Sequence, residues 1–177
     1  MSESGRYVSV DIETAGPNPG QYSLLSIGAC LVSDPQQGFY VELKPVNGLL
    51  TPEAYAVHGL KLEDLSARGY PPEEAMEKFD AWLAQTVPDG PIFVGFNAPF
   101  DWMFVNDYFH RTLGRNPFGH SALDIKAYYM GKFGVSWGET SLDYIAERFV
   151  GGRILSHNAL QDARDQAEIF RMVLAGD

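Results

Sequence analysis

The sequence predicts an α/β domain: a mixed five-stranded sheet with helices on its faces. Short apolar segments rich in β-branched and aromatic residues indicate the strands, and longer amphipathic segments indicate the helices. The order along the chain is three strands, a helical stretch, a strand, a helix, a strand and then helices. Strands joined by short turns pair antiparallel, whereas strands reached through helices return parallel. A length of 177 residues fits one domain, so we expect a single domain over residues 1–177.

The elements follow from local patterns in chain order. The predicted strands are Tyr7–Glu13, Leu24–Val32, Phe39–Lys44, Ile92–Gly95 and Ala122–Asp124. The first helix is predicted within PPEEAMEKFDAWLAQTV, residues 71–87, because prolines and acids are typical of helix starts. The later helices are predicted at Pro99–Leu113, Ser141–Phe149 and Asn158–Leu174. This order puts the first strand near the centre of the sheet.

The first strand has an unusual polar face. Alternation places Val8, Val10 and Ile12 on one face, and it places Asp11 and Glu13 together on the other. Two neighbouring carboxylates in a central strand are expensive to bury without a compensating charge. If the first strand is central, the negative charges of both carboxylates must be stabilised by other groups.

Two further acids stand at predicted helix beginnings. Asp101 falls in the first turn of the helix after Gly95, and Asp162 lies near the start of the last helix, at the margin of its apolar face. Either acid alone has a plain structural explanation, since an acid in the first turn complements the helix dipole. With Asp11 and Glu13, however, they can converge on two divalent cations.

Oxygen-only ligands favour hard ions, so we expect two Mg²⁺ or Mn²⁺ ions rather than zinc. Two such ions can stabilise the attacking and leaving oxygens of phosphodiester cleavage. His157, on the loop before the last helix, could accept a proton from the attacking water.

Composition and charge limit the other possibilities. A single cysteine excludes an internal disulfide framework, no apolar stretch is long enough to span a bilayer, and MSESGRY lacks a signal-peptide pattern, so we expect a cytoplasmic protein without a membrane partner. The net charge of −10 argues against strong binding to long duplexes. The acids are concentrated up to Asp89, and basic residues of the second half could form a local positive surface. They are Arg111, Arg115, Lys126, Lys132, Arg153 and Arg164.

Three segments, DIETAG, FNAPFD and HNALQDA, resemble the three motifs of the DEDDh family of 3′–5′ exonucleases, which have a ribonuclease H-like fold. The spacing of His157 and Asp162 matches the histidine branch of that family, and Asn158 stands where the tyrosine branch has tyrosine. The resemblance implies that Asp11, Glu13, Asp101 and Asp162 bind metal and that His157 is the general base. The 3′-to-5′ direction also comes from the resemblance.

A finer resemblance is to the ribonuclease T family, through DIETAG, LTPEAYAVHGL, GRNPF and LDIKA. It implies binding of a single-stranded 3′ end and a possible homodimer, and it leaves RNA or DNA as the substrate. The substrate-binding residues that it implies are Thr14, Glu53, His58, Phe100 and Phe118. His58 has an alternative structural role, and Pro17 and Val57 stand where the family has other aromatic residues, so base preference is not carried over.

Two alternatives to the nuclease remain open on sequence grounds. The first is a catalytically silent nucleic-acid-binding module on the same fold. All five catalytic side chains are present, which argues against it. The second is a hydrolase of small nucleotides or dinucleotides, which the acidic surface would suit.

Overall fold

A five-stranded mixed sheet forms the centre of the protein. The computed structural model describes residues 3–151 and 157–176. The strands are β1 (Tyr7–Thr14), β2 (Leu24–Leu31), β3 (Gly38–Glu42), β4 (Ile92–Gly95) and β5 (Ala122–Asp124). Their order across the sheet is β3-β2-β1-β4-β5. The first strand is therefore central, as predicted, and its polar face lies inside the protein.

The pairing directions also follow the prediction. Strand β1 is antiparallel to β2, with Asp11 opposite Gly28 and Glu13 opposite Ser26. Strand β2 is antiparallel to β3, whereas β4 is parallel to β1 and β5 is parallel to β4. The helical segments between β3 and β5 supply the connections that parallel strands need.

Seven α-helices surround the sheet in the described part of the chain. They are α1 (Pro52–His58), α2 (Leu62–Arg68), α3 (Pro72–Thr86), α4 (Ala98–Leu113), α5 (Ile125–Phe133), α6 (Leu142–Val150) and α7 (Ala159–Ala175). Short 3₁₀ helices occupy Glu3–Arg6 and Trp137–Thr140. Helices α1, α2 and α5 are not predicted individually by the sequence pattern, because helices of seven to nine residues are too short to show a clear period.

Two cores fill the space on either side of the sheet. The apolar face of β1 packs in one core with Phe79 of α3 and Phe104 of α4. The opposite side is covered by α7, which lies over β1 and β2 and contributes Ala163 and Phe170 to the second core. The polar residues of β1 thus face α7. Among the described residues, no helix is both long and apolar enough to cross a membrane.

Candidate active site

The site lies where β1 and β4 separate. The two strands pair from Tyr7 opposite Ile92 to Ser9 opposite Val94, and the pairing then ends. Backbone N–H groups beyond that point need other partners. Ile12 N donates to Asp101 Oδ1 at 3.2 Å, and Phe96 N donates to Gln166 Oε1 at 3.0 Å. Side chains from α4 and α7 therefore enter the gap between the two strands.

Three predicted carboxylates meet at this gap. Oxygen atoms of Asp11, Glu13 and Asp162 all lie within 4.8 Å of one another. Asp101 flanks this group, where its carboxylate is held by the Ile12 N–H group. Asp101 lies in the first turn of α4 and Asp162 in the first turn of α7, as the sequence predicted. Asp162 is only 2% exposed, so it lies fully inside the buried face of α7 rather than at its margin.

Gly28 lets α7 come close enough for Asp162 to reach the group. A Cβ atom at Gly28 would lie 2.1 Å from the backbone carbonyl carbon of Ala159, the first residue of α7. Since Gly28 pairs with Asp11 across β1 and β2, the helix start is pressed against the strands beside the carboxylate. A glycine inside a strand can mark such a close backbone approach, and this signal in SIGAC was missed.

Burial and the neighbouring carboxylates make the negative charge on each of Asp11, Glu13 and Asp101 unfavourable. Burial, followed by the charge of Asp162, raises the pKa of Asp11 to about 8. Burial, followed by the charges of Asp11 and Asp162, raises the pKa of Glu13 to about 9. Burial and then the charge of Asp11 raise the pKa of Asp101 well above its ordinary value. Within the described residues, no lysine or arginine forms an ion pair with Asp11 or Glu13. A divalent cation would provide the missing positive charge.

A cleft of about 450 Å³ adjoins the carboxylates and shares Glu13 with them. Its floor includes Ile12 and Phe100, and the facing wall is α1. The predicted substrate residues Thr14, Glu53, His58 and Phe100 all line it, together with Pro17 and Val57. This volume falls in the range of small-molecule sites. The walls are largely apolar, which suits the flat face of a base.

His58 is held by backbone groups on both sides of its ring. Leu60 N donates to His58 Nδ1 at 2.9 Å, which leaves Nε2 to carry the proton and donate to Thr14 O at 3.1 Å. Burial lowers the pKa of His58 from 6.5, consistent with this neutral form. His58 therefore joins α1 to the end of β1. This supports the structural role, although the ring also lines the cleft.

His157 is exposed, with its backbone in the left-handed region at φ 55°. It directly precedes Asn158, whose side chain caps α7 by accepting from Gln161 N. A positive charge on His157 would lower the pKa of His58. His157 lies five residues before Asp162, just outside the N-terminus of α7.

Phe118 is not brought to the cleft. It is 7% exposed and packs against Phe79, Phe93 and Phe109. Its backbone N–H donates to the Asn116 side chain, in a turn that directs the ring inward. The resemblance had implied a stacking role, and the structure instead places this ring in the core.

Five of the six residues of the predicted positive surface have partners within the protein. Arg111 pairs with Asp107, Arg115 pairs with Asp80, and Lys132 donates to Leu174 O. Lys126 lies over the Trp137 ring at 4.3 Å, whereas Arg164 donates to Pro35 O. Arg153 lies outside the described residues. Most of these cations are thus used to hold neighbouring elements together.

Comparison with known proteins agrees with this geometry. Residues 8–170 match the family model described as Exonuclease, the RNase T family. The nuclease domain of 3′hExo, described as a DEDDh family member bound to rAMP, superposes with a TM-score of 0.80 at 17% identity, covering 99% of this chain and 94% of that one. The fold is thus ribonuclease H-like, as the resemblance implied.

The chain belongs to this exonuclease family. It is 48% identical over 169 residues to the 3′-5′ DNA exonuclease Cap18 of Escherichia coli, covering 94% of this chain and 90% of that protein. It is 29% identical over 184 residues to ribonuclease T of Klebsiella pneumoniae, covering 92% and 81%. The chain is a 3′–5′ exonuclease, and it is more similar to the DNA enzyme than to this ribonuclease T.

Proposed function

We propose that this exonuclease removes nucleotides from the 3′ end of single-stranded nucleic acid, with DNA as its preferred substrate. One observation carries the proposal: Glu13 belongs both to the carboxylate group and to the apolar cleft. A terminal nucleotide held in the cleft would therefore present its phosphodiester to the carboxylates. The preference for DNA is supported by the 48% identity to an enzyme named as a DNA exonuclease.

The carboxylates fit divalent cations, on which exonucleases of this family depend. Asp11, Glu13 and Asp162 have converging oxygens, and Asp101 adds a fourth carboxylate at their edge. Hard oxygen ligands suit Mg²⁺ or Mn²⁺, and we propose two such ions. When bound, they would activate water and stabilise the charge that develops on the phosphate oxygens.

The cleft would hold the terminal nucleotide through its apolar walls. Phe100 packs on Phe104 at a ring distance of 5.6 Å and keeps a partly exposed face toward the cleft. Stacking of a base on such a ring is worth ~1–3 kcal/mol and tolerates any base. Glu53, in the first turn of α1, offers the cleft a polar contact for a base edge.

His157 would act as the general base. It is exposed and lies five residues before Asp162, next to the residue that caps the helix carrying this carboxylate. A neutral imidazole can accept the proton of the attacking water, which leaves the resulting hydroxide to attack phosphorus. The bond from phosphorus to the 3′ oxygen of the preceding nucleotide would then break, and that oxygen would take up a proton as the terminal mononucleotide leaves. His58 is unsuited to this step because both of its ring nitrogens already bond to backbone groups.

The experiment uses single-stranded DNA and RNA oligonucleotides labelled at either end, with Mg²⁺, with Mn²⁺ and with EDTA. We expect mononucleotide products from the 3′ end, a faster rate on DNA, and no cleavage in EDTA. Asp11→Asn should abolish cleavage, whereas Glu77→Gln, an exposed acid on α3, should not. Shortening from the 5′ end, or cleavage in EDTA, would contradict the proposal.

A dinucleotide arm tests the alternative of a small-nucleotide hydrolase. An enzyme that acts on strands should prefer the longer oligonucleotide, and a preference for the dinucleotide would favour the alternative. Homodimer formation and cytoplasmic location stay predictions. Sedimentation of the protein with and without oligonucleotide would test the first of these.

A further inference from the structure

Gln166 is a buried polar side chain that the sequence analysis did not single out. It is 1% exposed and lies on α7, one helical turn after Asp162. Its Nε2 donates to Asp11 Oδ1 at 2.6 Å, and its Oε1 accepts from Phe96 N at 3.0 Å. The side chain therefore joins α7, β1 and the end of β4 at one point.

The position of this amide follows from the sheet. The parallel register that pairs Ser9 with Val94 would bring Asp11 opposite Phe96 if it continued. The strands separate first, and the Gln166 amide fills the place where the next backbone contacts would have formed. It connects the carboxylate on one strand with the backbone N–H on the other.

The orientation of the amide is fixed by its partners. Because the Phe96 N–H group can only donate, it must face the amide oxygen. The Nε2 group is then turned toward Asp11 and can only donate to it. One oxygen of the Asp11 carboxylate is therefore held in place, and the plane of the carboxylate is restricted.

We propose that Gln166 is a positioning residue that orients Asp11 as a metal ligand, an inference that rests on the proposed metal site. Hydrogen bonds to a ligating carboxylate typically change metal affinity or activity 10–100-fold when removed. Gln166 is not among the residues that line the cleft, and its side chain bonds to Asp11 directly, so its effect should pass through Asp11. Binding of the terminal nucleotide should be independent of it.

The test compares Gln166→Met with Gln161→Met. Methionine keeps the length of the side chain and removes both polar atoms. Gln161 is the matched control, because on the same helix its exposed amide donates to the Asp165 carboxylate at 3.0 Å. Gln166→Asn is a second variant, since it keeps the amide but is one methylene too short to reach both partners.

The first readout is Mn²⁺ binding to the protein without nucleic acid, by calorimetry, at a temperature where circular dichroism shows each variant folded. We expect both Gln166 variants to bind Mn²⁺ ~10–100-fold more weakly and Gln161→Met to stay within about twofold of the parent. The second readout is cleavage. The Mn²⁺ concentration for half-maximal rate should rise similarly, while the KM for oligonucleotide at saturating Mn²⁺ should stay within about twofold.

Three results would contradict either the positioning role or the metal site on which it rests. Parent-like Mn²⁺ affinity in folded Gln166→Met or Gln166→Asn would overturn the positioning role and leave the metal site intact. No Mn²⁺ binding by the parent protein would instead overturn the proposed metal site. A raised KM with unchanged Mn²⁺ affinity would show that Gln166 acts on the substrate, which also contradicts the inference.

Discussion

The strongest test of the carboxylate site is the stability of Asp11→Asn without metal. Asparagine is nearly isosteric, and its Oδ1 can still accept from Gln166 Nε2, so the substitution removes the charge and little else. The pKa of Asp11 is raised from 3.8 to about 8, chiefly by burial and then by the charge of Asp162. The parent protein must therefore either hold an unfavourable charge at this position or keep a proton there.

Proton linkage gives the direction in which the stability of the metal-free protein changes with pH. The folded state holds the Asp11 proton more tightly than the unfolded state, so this group stabilises the fold below about pH 4 and loses that contribution as the pH rises through about 8. Glu13 acts in the same direction, with its pKa raised to about 9. Metal-free protein should thus become less stable from acid toward pH 9.

The raised pKa of Asp11 also sets how much Asp11→Asn should stabilise the metal-free protein. At about 1.4 kcal/mol for each pKa unit, the rise at Asp11 from 3.8 to about 8 corresponds to ~6 kcal/mol once the group is ionised. Solvent reaches the partly exposed carboxylate, so we expect Asp11→Asn to stabilise the metal-free protein by ~2–3 kcal/mol at pH 8.5. For a chain of this size that is a rise in Tm of ~4–12 °C.

The assay is thermal unfolding in EDTA at pH 4 and pH 8.5, with Glu77→Gln as the matched control for loss of one acid. We expect a higher Tm for Asp11→Asn at pH 8.5, nearly equal values at pH 4, and no comparable change in the control. Added Mg²⁺ or Mn²⁺ should raise the Tm of the parent by linkage and reverse the order. If Asp11→Asn is no more stable than the parent at pH 8.5 without metal, the inferred cost of a buried charge on Asp11 beside Asp162 is refuted.

Three further predictions concern other parts of the site. His157→Ala should lower kcat by ~10²–10⁴, with Mn²⁺ affinity by calorimetry unchanged; a parent-like rate would reject the general-base role. Phe100→Ala should raise the KM for oligonucleotide and lower kcat in steady-state assays, because the ring also fixes the scissile phosphate; unchanged kinetics would make Phe100 a packing residue. Gly28→Ala should displace the start of α7 and destabilise the protein by ~1–3 kcal/mol in denaturant titration. It should also abolish Mn²⁺ binding, and normal Mn²⁺ binding would show that the metal site does not require the close approach of α7 to β2.

The sequence was most informative where local chemistry and local structure coincide. The alternation of β1 placed Asp11 and Glu13 on one face, and helix-start signals placed Asp101 and Asp162 in first turns, which the structure confirms. The centrality of β1 followed from the order of elements. These features depend on neighbours in sequence, so patterns can detect them.

The remaining features depend on contacts between distant segments. Gln166 and Phe96 are 70 residues apart, and Gly28 is significant only because α7 crosses it. Phe100 and Phe118 are both aromatic residues near a helix end, yet one lines the cleft and the other is buried in the core. Periodicity does not distinguish them, because the difference arises from the turn at Asn116.

The attachment of α1 links one side of the cleft to the strand that carries Glu13. None of the seven residues of α1, all of them described, is buried, and the helix is tied to β1 through Thr51 N to Ala15 O and His58 Nε2 to Thr14 O. The residue just before these two carbonyls is Glu13. The α1 side of the cleft and the carboxylate of Glu13 are thus anchored to the same short piece of backbone. If the proposed function holds, we expect exchanges of side chains on α1 to change how tightly the terminal nucleotide binds without shifting the bond that is cut.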